Sequence, residues 1–402
     1  MPSCIAHIDA DSFFASVIIR THPEFRGKPL LAIGMGGGCV IAATYEAKAK
    51  GVKTGMRLFE ARKLVPGAIE MAADFRETGI ASEQIESILK NHCPIVEQYS
   101  IDEWFLDLRS LVGGAPKDCH AWGTEIQKEI LQHTALSVSI GIAGSKLLAK
   151  MAGEYRKPAG ITVVATKEDT KKFLQTRTAH AIPGIGRQRM IKTDVLGWKT
   201  AWDIATAPSP EIIRICGKPG IDMQRELLGE SIENVMENTA LPKSISRCRS
   251  LKTTDDREIG KAHLLKHLEY CVLKMRRHKL GCSEVSIWIR TPDFAHRNVH
   301  RKLSRLCATV DEIAGSAISA FSSFTWHGQR FNQVGLALLG LKNADIRQQS
   351  LFDDPNKNVT GERLQATMDD LHGKYGRDSL THAAALSVNS GTVKELNLPM
   401  VG

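Results

Sequence analysis

No stretch of the 402 residues comes near the roughly 20 consecutive apolar positions that a bilayer-spanning helix needs, so no membrane partner is expected. The opening MPSCIAHIDAD offers neither a basic start nor an apolar run, and no signal peptide is expected. Cysteine occurs nine times, an odd number, and never as CxxC. That argues against a zinc site or a disulfide framework and makes a reducing cytoplasm the expected location. Aromatic residues are only 6% of the chain, too few for a continuous base-stacking platform. No internal repeat or low-complexity tract interrupts the sequence.

What is present is an ordinary globular composition, 43% hydrophobic and 24% charged, at a length that calls for two to four domains. The charge is unevenly placed. Between Lys243 and Leu341 stand 17 Lys and Arg against 8 Asp and Glu. The rest of the chain holds 36 of each sign, so this one segment carries the whole net charge of +9. A domain-sized basic region is the footprint of a polyanion, usually nucleic acid. A solvated basic face without a partner is the competing reading.

Apolar periodicity outlines the rest. IAHIDA reads as a strand, followed by a helix from Ser12 to about Thr21 with Asp11 placed to cap it. PLLAIG is a strand, MGGG at 35–38 a turn, and CVIAATYEAKAKG a segment turning into a helix. A helix near 77–92 precedes IVEQYSIDEWFLDL, which reads as two short strands meeting near Ile101–Glu103. A helix over about 117–133, the strand LSVSIGIA and the helix SKLLAKMAGEY follow. This order suggests a mixed-sheet, ferredoxin-like α+β unit rather than a doubly wound sheet. Residues from about 166 to 232 are expected to be helical. A second α+β unit is expected over 243–341, with strands near SEVSIWIRT, KLSRL and FNQVGLALLGL. The tail from 342 is polar, then helical near 361–375.

Three acidic residues fall at strand ends: Asp9 in HIDAD, and Asp102 with Glu103 in SIDEWFLDL. Crowded carboxylates raise each other's pKa, and divalent cations remove that cost, hard Mg²⁺ taking oxygen ligands. Two such ions can activate a hydroxyl and stabilise a leaving pyrophosphate. A hairpin turn with no metal is the alternative for Asp102 and Glu103. Phe14, beside Phe13, can be core packing or a substrate wall. Thr44, Tyr45 and Lys48 at a helix start can cradle phosphate or form a solvated helix face. AIPGIGRQRMIKTDVLGW at 181–198 has the glycine-turn-glycine form of a helix-hairpin-helix; Gly184 and Gly186 would let backbone N–H groups meet a phosphate, with Arg187 adding charge.

IDADSFFASV followed by YSIDEWFLDL resembles the two metal-binding motifs of the Y-family, or translesion, DNA polymerases, and the similarity extends over most of residues 1–341. The resemblance implies a multidomain α+β right hand: palm over 1–13 and 75–165, small fingers over 14–74, and a helix-hairpin-helix thumb over 166–232. A linker over 233–242, an α+β little finger over 243–341 and a tail over 342–402 complete it. It implies that Asp9, Asp102, Glu103 and the Ala10 carbonyl hold two Mg²⁺ ions, with Mn²⁺ able to substitute. Phe14 matches the steric gate that excludes a 2′-hydroxyl, supported by Phe13. Tyr45 with a basic neighbour, and Lys157 in YRKPAGI, match contacts to the dNTP triphosphate. The DNA polymerase IV branch usually has Arg where this chain has Lys48, which keeps the charge but loses the bidentate fork. GCVIAATYEAKAKGVKTG is more like the catalytic subunit of the polymerase V branch, so both branches stay open. Gln348, Leu351 and Phe352 in QQSLF resemble the motif by which bacterial polymerases dock on the sliding clamp. The expected activity is low-fidelity, template-directed synthesis on primer-template DNA by a monomer without proofreading. A nucleotide cyclase and a non-catalytic DNA-binding scaffold are the rivals; the thumb motif and basic segment oppose the first, the intact carboxylates the second.

Overall fold

The computed structural model describes residues 4–34, 38–237, 241–324, 329–346, 355–376 and 379–388. The chain divides into two compact units, Met1–Asn238 and Thr239–Met400. No helix among the described residues is long and apolar enough to cross a membrane.

The first unit opens with β1 (Ile5–Ala10), α1 (Phe13–Thr21), β2 (Leu30–Ile33), β3 (Val40–Ala43), α2 (Tyr45–Lys48), α3 (Leu58–Leu64) and β4 (Ile69–Ala72). It continues with α4 (Phe75–His92), β5 (Val96–Gln98), β6 (Glu103–Asp107), α5 (Cys119–Thr134), β7 (Val138–Ala143), α6 (Lys146–Tyr155) and β8 (Ile161–Val164). The main sheet runs β5-β6-β1-β7-β8, with β1 antiparallel to both neighbours and β8 parallel to β7. All six residues of β1 are buried, as a central strand covered on both faces must be. The strand's alternation sorts them. Ala6, Ile8 and Ala10 pack with Ile85 and Leu89 of α4 and Ile126 and Ile130 of α5. Ile5 joins Leu148, Ala149 and Ala152 of α6 on the opposite face. Glycine at 141 permits that approach: a Cβ there would lie 2.0 Å from the Ala149 carbonyl oxygen. A small sheet, β3-β2-β4, stands separately with α3.

Helices α7 (Lys167–Thr176), α8 (Arg187–Val195), α9 (Ala201–Ala205), α10 (Ser209–Cys216) and α11 (Pro219–Leu227) complete the unit. Thr166 with Asp169 and Thr200 with Asp203 form reciprocal caps at the starts of α7 and α9.

The second unit is an antiparallel sheet, β11-β10-β12-β9, built from β9 (Ile245–Thr254), β10 (Leu280–Arg290), β11 (His296–Cys307) and β12 (Phe331–Leu339). Helices α12 (Arg257–Arg277) and α13 (Val310–Ser322) supply Leu264, Leu268, Val272, Ile313 and Phe321 to its core. Chain beyond the sheet folds back onto these helices. In α14 (Pro355–Tyr375), Asp369 and Glu362 pair with Arg276 at 2.5 and 3.0 Å, and Gln365 accepts from the Val310 N–H. Glu269 of α12 accepts from the Thr381 hydroxyl and the His382 backbone N–H, both at 2.7 Å, and faces the His382 ring nitrogen Nδ1 at 2.5 Å.

Several local expectations change. Helix α4 begins at Phe75, two residues early, because Asp74 accepts from the N–H groups of Arg76 and Glu77. Helix α14 also starts earlier than its apolar pattern suggests. Strands β4, β8 and β9 were not anticipated, and β11 runs well beyond KLSRL. Asp11 is not the cap of α1. Ser12 occupies that position in a left-handed conformation (φ 48°) with no side-chain cap. Gln348, Leu351 and Phe352 lie outside the described residues.

Candidate active site

Register places the first two carboxylates. Asp9 on β1 stands opposite Glu103 on β6, and Asp9, His7 and Glu103 share the face of the sheet that α6 covers. One ligand atom from each of His7, Asp9 and Glu103 lies within 4.8 Å of the others. Asp102 is in the turn just before β6. Its carbonyl accepts from the Ala10 N–H at 2.9 Å, and its carboxylate accepts from the Ser100 hydroxyl at 2.5 Å. It neighbours the trio without being part of it.

Two ammonium groups neutralise the carboxylates. Lys157 lies 2.6 Å from Asp9 Oδ1 and 2.7 Å from Glu154. Lys150, from α6, lies 2.5 Å from both oxygens of Glu103. Burial pushes the Asp9 carboxyl up to about 8, against the pull of Lys157. Burial also opposes ionisation of Glu103, yet the close His7 ring and the Lys150 ammonium hold its carboxyl below the usual range. Burial depresses His7 toward the neutral ring, which stands 4.0 Å from Glu103 with neither nitrogen hydrogen-bonded.

Asp11 belongs to this neighbourhood rather than to a helix cap. Its buried carboxylate accepts from Ser139 Oγ (2.7 Å), the Ala159 N–H (2.8 Å) and Tyr45 OH (3.3 Å), tying β1, β7, α2 and the turn after α6 together. Lys48 donates to Ser12 Oγ at 2.7 Å and lies 4.6 Å from the Tyr45 ring centre. Burial lowers the Lys48 pKa, and nearby Lys157 adds to the shift. Burial raises the Tyr45 phenol, reinforced by Asp11. Tyr45, Lys48 and Lys157 therefore converge beside Asp9. Thr44 faces inward: its hydroxyl accepts from the Leu30 N–H and donates to the Lys28 carbonyl. Phe13 is core, whereas Phe14 is half-buried with its ring 5.5 Å from Phe75.

In the helical region, Gly184 takes φ +94°, Gly186 precedes α8, and Arg187 opens it, all three exposed. Arg189 donates to the Gly184 carbonyl at 2.7 Å and so fixes the turn. A cavity of about 390 Å³ separates these helices from the main sheet, with Tyr99, Phe105, Lys146, Lys150, Arg189 and Met223 among its walls.

His7, Lys150 and Arg189 were missed by sequence reasoning. His7 stands two residues before Asp9 on a strand, a spacing that puts both on one face and could have drawn attention to it. No local signal marks Lys150, whose partner is 47 residues away.

A buried Asp9 beside a half-buried Glu103 at the centre of a mixed sheet, each met by a lysine and followed by a glycine-turned helical region, is the layout of a nucleotide-polymerising enzyme. A sequence model of the impB/mucB/samB family matches residues 8–154, and one for that family's C-terminal domain matches residues 242–351. The DNA polymerase IV of Listeria monocytogenes is 31% identical over 345 residues, covering 84% of this chain and 95% of that protein. That of Caulobacter vibrioides is 28% identical over 95% of this chain and 94% of its own length. Among solved structures, a Y-family DNA polymerase chimera of Dbh and Dpo4 superposes with TM-score 0.75 at 25% identity, covering 84% of this chain and 99% of that one. The chain belongs to the impB/mucB/samB family, the Y-family or translesion DNA polymerases, and is a DNA-directed DNA polymerase. Its architecture is the multidomain α+β right hand of palm, fingers, thumb and little finger.

Proposed function

We propose that the chain extends a primer across damaged template bases by attack of the primer 3′-hydroxyl on the α-phosphate of a dNTP, releasing pyrophosphate and without proofreading. The observation that carries this reading is the register pairing of the buried Asp9 with the half-buried Glu103, each carboxylate met by a lysine ammonium. The donor set suits a hard divalent ion, since two of the three clustered donors are carboxylate oxygens, with a His7 ring nitrogen beside them. Asp9, Asp102, Glu103 and the Ala10 carbonyl would hold two Mg²⁺ ions, or Mn²⁺ in their place. When bound, the ions supply activation of the attacking hydroxyl and charge stabilisation for the leaving pyrophosphate.

The chain's own residues do the rest. Lys157, Lys48 and Tyr45 bind and orient the triphosphate as point charges and a phenol donor. Thr44, with its hydroxyl engaged inside the small sheet, shapes that site through the backbone. Phe14, held by the buried Phe13 and by Phe75, sits under the sugar and excludes ribonucleotides. We assign the palm to 1–13 and 75–165, the fingers to 14–74, the thumb to 166–232 and the little finger to 243–341. Gly184, Gly186 and Arg187 hold the DNA backbone from the thumb, and the basic little finger adds a sequence-independent field. Gln348, Leu351 and Phe352 dock a monomer on the bacterial sliding clamp, and the site of action is cytoplasmic. Primer extension with Mg²⁺ on plain and lesion-bearing templates tests the reading. Extension past the lesion, with no shortening of a mismatched primer, is expected. A stop at every lesion, or removal of the mismatch, would refute it.

A further inference from the structure

The cations on the two carboxylates occupy space that a metal ion needs. Lys150 Nζ reaches both Glu103 oxygens at 2.5 Å, covering the carboxylate as a chelated ion would. It gets there because α6 lies directly on the sheet, where glycines at 141 and 153 leave no side chain between them. A divalent ion on the same oxygens would meet a full positive charge at a distance where like charges repel strongly in a partly buried site. The neighbouring His7 ring stands 4.0 Å from Glu103 with neither nitrogen hydrogen-bonded, so Lys150 is the close partner of that carboxylate. Lys150 does have somewhere else to go. Its ammonium is already 5.1 Å from the centre of the exposed Tyr99 ring, and both residues line the 390 Å³ cavity between the sheet and the thumb helices.

We infer that Lys150 is a resident counter-cation that holds down divalent-ion affinity at Glu103 and must retreat toward Tyr99 before an ion can bind. Lys150 is thus a positioning residue that acts through Glu103, not a group that touches substrate. The inference rests on the proposed metal role of the carboxylates and adds to it a gate built from the chain itself. In the DNA-free and nucleotide-free protein it leaves Glu103 ion-paired rather than bare, as Lys157 does for Asp9.

The test is Mn²⁺ binding to the full chain without DNA or nucleotide, measured from the electron paramagnetic resonance signal of free Mn²⁺. Lys150→Met should bind Mn²⁺ on the order of tenfold more tightly than the unaltered chain, the change expected for removing one partly exposed competing charge. Lys150→Gln provides the same loss of charge should the Met variant fail to fold, as judged by circular dichroism. Lys150→Arg, which keeps the charge, should bind like the unaltered chain. Equal or weaker binding by the neutral variants, or an Arg variant as tight as Met, would overturn the inference. Glu103→Ala separates the two levels. If it loses Mn²⁺ while Lys150→Met gains none, only the gate fails; if it binds as well as the unaltered chain, the metal role of Glu103 fails too.

Discussion

The two units of this polymerase handle charge in opposite ways. In the first, few charges matter and each has a fixed partner: Asp9 with Lys157, Glu103 with Lys150, Asp11 with Ser139, Ala159 and Tyr45, all at short range and mostly buried. In the second, charge accumulates on an open surface, with Lys252, Arg297, Arg301 and Lys302 exposed on strands β9 and β11. Geometry carries the function of the first and total field that of the second. A single substitution should therefore matter greatly in one and little in the other, whereas salt should do the reverse.

The largest expected effect on binding probes the field. Binding of the full chain to duplex DNA should weaken a hundredfold or more between about 50 and 200 mM salt, through release of counterions from several phosphates. Replacing Arg297, Arg301 and Lys302 together by Gln should flatten the log–log slope by roughly three, and Asp9→Ala should leave it alone. A triple variant with an unchanged slope would take the DNA away from this face. Next comes geometry. Phe14→Ala should raise ribonucleotide incorporation by ten- to a hundredfold, about 1.4 to 2.8 kcal/mol of lost exclusion, with a modest loss of dNTP use. Unchanged sugar selectivity in single-nucleotide kinetics would return Phe14 to a packing role.

The clamp effect belongs to neither style of charge handling. Two buried apolar side chains, less the cost of ordering them, contribute about 2–4 kcal/mol. Leu351→Ala with Phe352→Ala should abolish clamp-stimulated synthesis on a circular template and leave unstimulated synthesis intact. Stimulation equal to the unaltered chain would remove the docking role.

The smallest effect is a pH dependence in the tail. Its hydrogen bond to Glu269 raises the His382 pKa above the ordinary value of 6.5, with Asp311 at 3.8 Å contributing. Burial opposes ionisation of Glu269, but its bonds to His382 and Thr381 hold its carboxyl below the ordinary 4.5. The His382 contribution is complete below about 6.5 and fades as pH rises through the raised value. The Glu269 contribution is complete above about 4.5 and fades as pH falls through the lowered one. Hydrogen exchange at 379–388 should accordingly speed up on going from mildly acidic to alkaline solution, beyond the intrinsic rise. Glu269→Gln should remove that excess; an excess that survives the substitution would place the pH sensor elsewhere.

The same contrast explains what the sequence could reveal. Wholly buried apolar strands such as β1 and β7 were legible, and the structure sets the motif residues Asp9 of β1 and Glu103 of β6 opposite each other. Strand β11 was only partly legible because HRNVHRKLSRLC is a sheet edge, polar on both faces over most of its length, and gives little apolar period to read. Strand β9 hid for a similar reason, its exposed positions being Ser246, Cys248, Ser250, Lys252 and Thr253. Within the site, Asp11 misled because the capping rule is local while its true partners, Ser139 and Ala159, lie 128 and 148 residues away. Lys150 was invisible for the same reason: only the packing of α6 on β1 and β7 brings it to Glu103 of the neighbouring β6. Residue type told which groups can do the chemistry, and long-range register told which of them meet.

The central claim is that Asp9 and Glu103 form one metal-dependent catalytic pair. Single-turnover primer extension with Mg²⁺ tests it most directly, comparing Asp9→Ala and Glu103→Ala with the unaltered chain on DNA bound to saturation. Each variant should lose on the order of a thousandfold or more in rate, since removing either carboxylate removes the ion's hold on the reacting oxygens. DNA affinity should stay within a fewfold, because the field that binds the duplex resides in the other unit. Extension by either variant at near the unaltered rate would contradict the account.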